Sequence, residues 1–333
     1  MSVGQDFGMF IGGGVVALGT SWLLVSRLER VGERLGLSEA LLGMLAALAA
    51  DTPEITASIT ALVHHQRQVG AGVVIGSNVF NLAALLGLSA VVAGRIRLHR
   101  RVIVLGGSVA TWVSMVCFGA VGGVGGPAVG LGLVLVVVAP FVTLLSLRRS
   151  VLDRVPIPLG WKQWLSTTVH EEELELAEAI RPRRGRPQDA VGAAMALVVV
   201  VLASIAMEQS GSALGRHYDI PGIVVGGIVL AAVTSLPNAV AAVYLARRGR
   251  GAATMSVALN SNTLNVLIGL LIPGVAVGLS APTSPAVLIA AWYVGLTALS
   301  LGIAYVEGGL RRWSGWVVIA AYAAFVGSLL AVT

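Results

Sequence analysis

Long apolar stretches separated by short polar segments follow one another along the whole chain. Each stretch has about the 20 apolar residues that a helix needs to cross a bilayer. We predict ten membrane-spanning helices, named spans 1 to 10, near residues 7–26, 39–63, 70–93, 102–121, 127–147, 190–207, 221–246, 251–273, 284–305 and 314–332. The first stretch lacks a basic flank and a small-residue cleavage site, so we expect it to be retained and not removed as a signal peptide.

Composition agrees with a helical membrane protein with many spans. The 333 residues are 56% apolar and only 11% charged, which leaves too little polar surface to cover a soluble globule. The single cysteine, Cys117, excludes an internal disulfide and a zinc site built from cysteines. The chain contains neither a P-loop nor an HExxH pattern. We therefore expect no enzyme of a familiar class and no cofactor.

The net charge of +6 is explained by where the basic residues lie. With ten spans, 20 of the 22 Lys and Arg residues fall in loops that follow odd-numbered spans, and only Arg67 and Arg216 fall on the other side. The positive-inside rule then places both termini outside the cell. The charge needs no nucleic-acid partner. We expect an integral protein of a bacterial-type plasma membrane, with inorganic cations and the bilayer as partners and no obligatory protein partner.

The polar segment between spans 5 and 6 divides the chain. We predict a first five-helix repeat over residues 1–147, a cytoplasmic loop over 148–189 and a second five-helix repeat over 190–333. The loop contains the acidic run EEELELAE at 171–178. A solvated or membrane-surface helix is favoured there over a regulatory cation site.

The two halves share uncommon residues at a constant offset of 184 positions. Residues 49–81 align without a gap on residues 233–265, which pairs Pro53 with Pro237, Ser77 with Ser261, Asn78 with Asn262 and Asn81 with Asn265. Chance rarely supplies such polar and helix-breaking matches in apolar helices. Because each half has an odd number of spans, the second half enters the membrane from the opposite side, and the halves form an inverted repeat.

The matched segments have the chemistry of a cation site. Pro53 and Pro237 each remove a backbone donor and free carbonyls one turn upstream, and irregular backbone at membrane depth lines enclosed cavities. Asp51 and Glu54 are, on the predicted spans, the only acidic residues deep in the membrane, where carboxylates are functional by default. Neighbouring oxygen-bearing side chains suit hard cations; they are Ser77, Asn81, Thr234, Ser235, Asn238, Ser261 and Asn265. For single serines and asparagines, helix packing is an equal alternative.

These segments resemble the two α-repeats of the sodium/calcium exchangers. The resemblance rests on TPE at 52–54 with GSNVFN at 76–81, and on TSLPN at 234–238 with NSNTLN at 260–265. It covers essentially the whole chain. It implies an all-α fold of ten helices in two inverted repeats, with an ion site between spans 2, 3, 7 and 8. It also implies that spans 1 and 6 slide across that site to give alternating access.

The resemblance also implies roles for individual residues. Glu54 matches the glutamate that binds both sodium and calcium, and Asn81 and Asn265 match positions that complete the centre. Four further positions match residues that flank the centre or line sodium sites; they are Ala50, Thr234, Ser77 and Ser261.

The chain departs from the family pattern in both repeats. Asn238 stands where the second repeat of the family has a glutamate, and Asp51 stands where the first repeat has a serine. If Asp51 faces the cavity, a formal charge of −2 is retained with altered geometry. If it does not, one carboxylate remains, which suits a monovalent cation or proton coupling better than calcium because desolvating a divalent ion needs strong charge compensation.

The sequence therefore favours a secondary active cation antiporter of the sodium/calcium exchanger type, in which calcium or another cation moves against sodium or protons. One alternative keeps the fold and changes the cargo to a monovalent or organic cation, or couples transport to protons. Another alternative is a membrane sensor that binds an ion without transporting it.

Overall fold

The computed structural model describes residues 2–35, 39–146 and 186–333, together with the single residues Gly160 and Thr167. Nearly all of the loop predicted at 148–189, including the acidic run at 171–178, lies outside these residues. The described chain is helical almost throughout, as the apolar pattern predicts.

The first half begins with one long helix and continues with helices that are interrupted inside the predicted spans. Its elements are α1 (Val3–Arg34), α2 (Glu39–Ala50), α3 (Thr52–Val63), α4 (Arg67–Asn81), a π-helical turn (Leu82–Leu88), α5 (Ser89–Ala93), β1 (Arg95–Arg97), α6 (Arg100–Val121) and α7 (Gly126–Ser146).

The second half begins at residue 187 and is also interrupted inside the predicted spans. Its elements are α8 (Pro187–His217), α9 (Gly222–Val224), a π-helical turn (Val225–Leu230), α10 (Ala231–Thr234), α11 (Leu236–Arg247), α12 (Gly251–Leu264), a π-helical turn (Asn265–Leu271), α13 (Ile272–Val277), α14 (Ser284–Glu307), β2 (Gly309–Arg311) and α15 (Arg312–Val332).

Within the described residues, eight helices are long and apolar enough to cross a membrane. The pair Gly222–Thr234 and Leu236–Arg247, bent by 46°, makes a ninth. These nine coincide with predicted spans 1 and 3 to 10. Span 2 is present as α2 and α3, which have 12 residues each. The total of ten crossings stays a prediction.

Two helices are longer than the sequence predicts. Span 1 continues to Arg34, so Arg27 and Arg30 lie on its last turns and not in a loop. Span 6 continues from residue 207 to His217 and therefore includes Glu208, which is fully buried. The prediction that Asp51 and Glu54 are the only acidic residues inside spans is wrong. A prediction from hydropathy ends a span where the first polar residues appear. In the folded protein, packing against other helices can bury such residues inside a helix that continues.

Spans 2 and 7 break at related positions. The break falls at Asp51 between α2 and α3, and at Ser235 between α10 and α11. In each case a proline, Pro53 or Pro237, stands in the first turn of the following helix, where its missing N–H costs no hydrogen bond. The irregular backbone that the sequence predicts at these prolines is therefore present in both halves.

Spans 3 and 8 also change helical pitch at matched positions. A π-helical turn follows Asn81 in the first half, and one begins at Asn265 in the second. Such turns shift the register of side chains along a helix and occur often at functional sites. Here they lie next to the asparagines that the repeat singles out.

Span 3 lies at the centre of the molecule and spans 1 and 6 at its edge. In their most apolar windows, 94% of Arg67–Ala93 is buried, against 22% of Val3–Gly32 and 28% of Pro187–His217. The two edge helices pack along each other. They are also joined by an ion pair in which Arg27 Nη1 lies 2.5 Å from Asp189 Oδ1, with Arg30 Nη1 at 3.4 Å.

Spans 3 and 7 approach each other so closely that only glycine fits. A Cβ atom added to Gly72 would lie 2.9 Å from the backbone N of Gly227, and one on Gly76 would collide with the backbone of the same residue. The contact brings the main chains of the two halves together beside the breaks, which positions the polar residues described next.

Candidate functional site

The polar residues beside the helix breaks of both halves meet in one buried cluster. Asp51, Glu54, Asn238, Ser261 and Asn265 all have no exposed surface. The first two come from span 2, and the others come from spans 7 and 8. The structure therefore brings together, across the two halves, the segments that the repeat predicts to be adjacent.

Asn238 connects the two carboxyl groups. Its Nδ2 atom donates to Asp51 Oδ1 at 2.6 Å and to Glu54 Oε1 at 3.4 Å, and lies 3.3 Å from Ser261 Oγ. Ser261 Oγ in turn donates to Asp51 Oδ1 at 2.5 Å. Asp51 thus lies in the same cluster as Glu54, and both carboxyl groups are held by the residue that stands in place of the family's second glutamate.

Asn265 and Asn81 extend the cluster along spans 8 and 3. Asn265 Nδ2 donates to Glu54 Oε2 and, at 3.2 Å, to Asn78 Oδ1. Asn81 Nδ2 donates to Ser261 Oγ at 3.2 Å and to Asn262 Oδ1 at 3.1 Å. Each asparagine therefore uses its amide N–H groups and leaves its oxygen for another partner.

Among the residues that the structure describes, five buried oxygen atoms of this region have no hydrogen-bond partner. They are Asp51 Oδ2, Ser77 Oγ, Asn81 Oδ1, Asn238 Oδ1 and Asn265 Oδ1. Ser235 is also buried, and its hydroxyl lies beside the Glu54 carboxyl group. A buried polar atom without a partner costs about 1–3 kcal/mol, and carboxylate, amide and hydroxyl oxygens are the ligands that a hard cation prefers.

Two of the candidate residues offer fewer free oxygen atoms to a bound ion than the sequence suggests. Thr234 is buried, but its Oγ1 atom turns back to the carbonyl of Leu230 at 2.9 Å. Ala50 has no polar side-chain atom, so its carbonyl is the only ligand that it could offer. Thr52 behaves in the same way as Thr234, because its hydroxyl donates to the carbonyl of Leu48 at 3.1 Å.

Sequence reasoning missed two serines that support the site. Ser21 of span 1 donates to the carbonyl of Ala49 at 3.3 Å, which is the carbonyl that Pro53 leaves without a helical donor. Ser58, one turn after Glu54, donates to the carbonyls of Gly70 and Gly269, both at 2.9 Å. Ser58 is four residues after Glu54, so the sequence places both on one face of a helix and could have indicated its role. Nothing in the sequence indicates the contact between Ser21 and Ala49.

The electrostatics of the cluster depend on its two carboxyl groups. In the part of the chain that the structure describes, neither Asp51 nor Glu54 forms an ion pair with a basic side chain. No group of three or more His, Cys, Asp or Glu side chains suited to a metal occurs there either. Neutral amides and hydroxyls thus surround the two carboxyl groups, and this set of oxygen atoms could hold a hard cation.

Comparison with known proteins agrees with this architecture. The family model of the sodium/calcium exchanger protein matches residues 6–148 and 189–331, one match in each half. The inner membrane protein YrbG of Escherichia coli strain K12 is 24% identical over 241 residues, which are 72% of this chain and 70% of that protein. A shorter match, 37% identical over 73 residues, covers 22% of this chain and 12% of the human sodium/potassium/calcium exchanger 4.

Solved structures show the same fold. A crystal structure of the H+/Ca2+ exchanger CAX has a TM-score of 0.69 at 14% identity, and the likeness covers 98% of this chain and 87% of that one. The sodium-calcium exchanger NCX_Mj, soaked with 10 mM Na+ and zero Ca2+, has a TM-score of 0.58 at 19% identity and covers 98% and 100%. The predicted fold class and family resemblance are both confirmed. With both halves matched, the chain belongs to the sodium/calcium exchanger family, whose members are membrane transporters and not enzymes.

Proposed function

We propose that the protein exchanges calcium or another cation for sodium or protons by alternating access. The observation that carries this proposal is the pair of buried carboxyl groups, Asp51 and Glu54, bridged by the amide of Asn238. Intramembrane carboxylates are costly and mark ion pathways. They lie beside the break of span 2 and contact Asn238 beside the break of span 7, which supports an ion-binding role over a purely structural one.

In this proposal Glu54 and Asp51 supply the charge, and amide oxygens complete the site. Asn238 and Asn265 point N–H groups at the carboxylates, while their Oδ1 atoms have no hydrogen-bond partner among the described residues. Rotation of each amide by about 180° would turn its oxygen towards an entering cation. The remaining ligands that we propose are Asn81, Ser77, Ser261, Ser235, the hydroxyl of Thr234 and the carbonyl of Ala50.

One shared site explains obligatory exchange. The two carboxylates can be neutralised by one divalent cation, by two monovalent cations or by two protons. Because these ions would use the same oxygen atoms, binding of one class displaces the other. An empty site would leave two carboxylates close together in a low-dielectric interior, which is costly. Because of this cost, the change between the two access states is favoured when ions occupy the site and disfavoured when the site is empty.

The moving part that we propose is the pair formed by spans 1 and 6. The ion pair between Arg27 and Asp189 supports their movement as one unit. We further propose that residues 1–147 and 190–333 are the two inverted repeats. Both termini would lie outside, and the loop at 148–189 would lie in the cytoplasm.

Proton coupling or a monovalent cargo is the second candidate. It is favoured by Asn238, which removes the carboxylate of the second half, and by likeness to an exchanger whose name includes H+. In this version the −2 charge of Asp51 and Glu54 binds protons in one state and cations in the other.

A flux assay across a panel of cations tests both versions. The purified protein is placed in liposomes with an outward sodium gradient or an outward proton gradient, and uptake of calcium, potassium and manganese is measured. We expect uptake that depends on one gradient and is lost in the matched Glu54→Gln protein. Uptake that does not depend on any gradient would contradict an antiporter. No uptake of any cation would also contradict it and would leave the ion-binding sensor.

A further inference from the structure

A second polar region lies outside the buried cluster, where spans 3 and 9 end and spans 4 and 10 begin. The strands β1 and β2 pair antiparallel there, with Arg95 opposite Arg311 and Ile96 opposite Leu310. The two apolar residues face the interior and are buried. Arg95 and Arg311 therefore lie on the outer face of this short ribbon.

The ribbon forms one wall of an open groove of about 550 Å³. The groove is lined by Gly94, Arg95, Arg311, Arg312, Trp313 and Trp316. Trp313 and Trp316 are 55% and 56% exposed and lie three residues apart, on one face of α15. Tryptophans on the outer surface of a span near its end are typical of the headgroup level of a bilayer.

The ribbon contains three arginines, Arg95, Arg97 and Arg311. Among the described residues, none of their side chains forms a hydrogen bond or an ion pair, and of the three only Arg95 and Arg311 line the groove. The nearby Arg100 donates to the carbonyl of Tyr305 and stacks over its ring, and Arg312 donates to the carbonyl of Val91. The groove is therefore lined by two guanidinium groups that have no partner within the described residues.

This arrangement is unfavourable without an anion. Like charges directly opposite each other on paired strands destabilise the pair. The carboxyl group nearest in sequence, Glu307, forms no ion pair with these arginines in the described part of the chain. A phosphate group between Arg95 and Arg311 would relieve the repulsion and accept charge-assisted hydrogen bonds from both.

We propose that the groove binds the headgroup phosphate of an anionic membrane lipid. Arg95 and Arg311 hold the phosphate, and Trp313 and Trp316 pack beside the lipid backbone. A lipid is favoured over a soluble phosphate compound because exposed tryptophans border the groove at the end of a span. Basic residues dominate this surface in the whole sequence, and basic pockets at span ends are typical sites of anionic headgroups.

Native mass spectrometry of the protein in neutral detergent provides the test. The protein is titrated with phosphatidylglycerol and, separately, with phosphatidylcholine of the same acyl chains. We expect phosphatidylglycerol to bind more tightly. Each arginine near a membrane surface contributes about 1 kcal/mol, so Arg311→Gln should lower that affinity about fivefold, and Arg95→Gln with Arg311→Gln should lower it further.

The controls separate this site from general charge and from folding. Arg34→Gln removes the same charge at the exposed end of span 1 and should leave lipid affinity unchanged. The double variant Arg95→Lys with Arg311→Lys keeps the charge and should retain most of the binding. Equal binding of the two lipids, or an equal loss in Arg34→Gln, would overturn the proposal. Displacement of phosphatidylglycerol by millimolar inorganic phosphate would overturn it too, because the ligand would then be free phosphate.

Discussion

Asn78 and Asn262 each donate their side-chain amide to the main-chain carbonyl of the other, at 3.1 Å in both directions. The two residues are 184 positions apart and are paired by the internal repeat. This reciprocal contact lies on the approximate two-fold relationship between the halves. It fixes spans 3 and 8 to each other next to the carboxyl groups, so the surrounding cluster is built on a rigid centre.

Removing either carboxyl group should weaken cation binding, and the two variants should differ in the extent of the loss. We expect Glu54→Gln to abolish exchange. Asp51→Asn should lower affinity for a divalent cation at least about tenfold and affect a monovalent cation less, because affinity depends on the charge of the ligands. Tracer flux and competition between cations measure both effects.

Thr52→Val is the matched control for these two variants. Thr52 lies between the carboxylates in sequence, but its hydroxyl bonds to the carbonyl of Leu48. Transport should therefore be retained. Full divalent transport by Asp51→Asn would remove Asp51 from the site.

Restoring the family pattern should require two substitutions and not one. Asn238 Nδ2 lies 2.6 Å from Asp51 Oδ1, so Asn238→Glu alone places a third carboxyl group against the first two. We expect that single variant to unfold at a lower temperature unless a divalent cation is present. Asp51→Ser together with Asn238→Glu keeps the charge of −2 and should bind calcium. Thermal unfolding with and without calcium distinguishes the variants, and equal stability of both would contradict this account.

We expect the Glu208 side chain to lower the stability of the fold and to support transport. It is buried, its Oε1 accepts from Ser212 at 2.7 Å, and its Oε2 has no hydrogen-bond partner in the part of the chain that the structure describes. Glu208→Met should raise the unfolding temperature, because an unpaired buried polar atom costs about 1–3 kcal/mol, and should lower transport. Gln209→Met, at the exposed neighbouring position, should change neither. A lower unfolding temperature for Glu208→Met would show that the carboxyl group stabilises the fold.

Gly76 should tolerate no side chain. A Cβ atom there would collide with the main chain of Gly227, and flexible atoms are not available to move aside. Gly76→Ala should therefore give little folded protein in size-exclusion chromatography. Gly302→Ala is the matched change in a helix where nothing lies within 4 Å of the added atom, and it should be tolerated. Normal yield and activity of Gly76→Ala would contradict the close crossing of spans 3 and 7.

The ion pair between the edge helices should affect movement and not binding. Asp189 accepts from Arg27 and also from the backbone N of Arg186 at 2.7 Å, so it holds both the start of span 6 and the end of span 1. Asp189→Asn should lower the maximal rate of exchange and leave the half-saturating cation concentration unchanged. Arg34→Gln, at the exposed end of span 1, is the control. A change in apparent affinity alone would argue against a mechanical role.

The sequence predicts which polar residues lie together better than it predicts the helix ends. Pro53, Pro237 and the matched asparagines are conspicuous because apolar helices rarely contain them, and each marks a feature of the backbone that the structure contains. Glu208 was missed because a hydropathy pattern cannot distinguish a polar residue in a loop from one buried between helices. Ser21 was missed for a related reason, since its partner Ala49 is 28 residues away and on another helix.

The two halves of the chain contribute different chemical groups to the cluster. Both carboxyl groups come from span 2, while the amides that hold them come from spans 7 and 8. In the alternating access that we propose, the two halves would exchange conformations between the two end states. With identical halves, that exchange would recreate the same site and the two states would have equal energy. Because both carboxyl groups belong to one half, the exchange would instead move them from one conformation to the other, and the protein open to one side of the membrane would differ in energy from the protein open to the other.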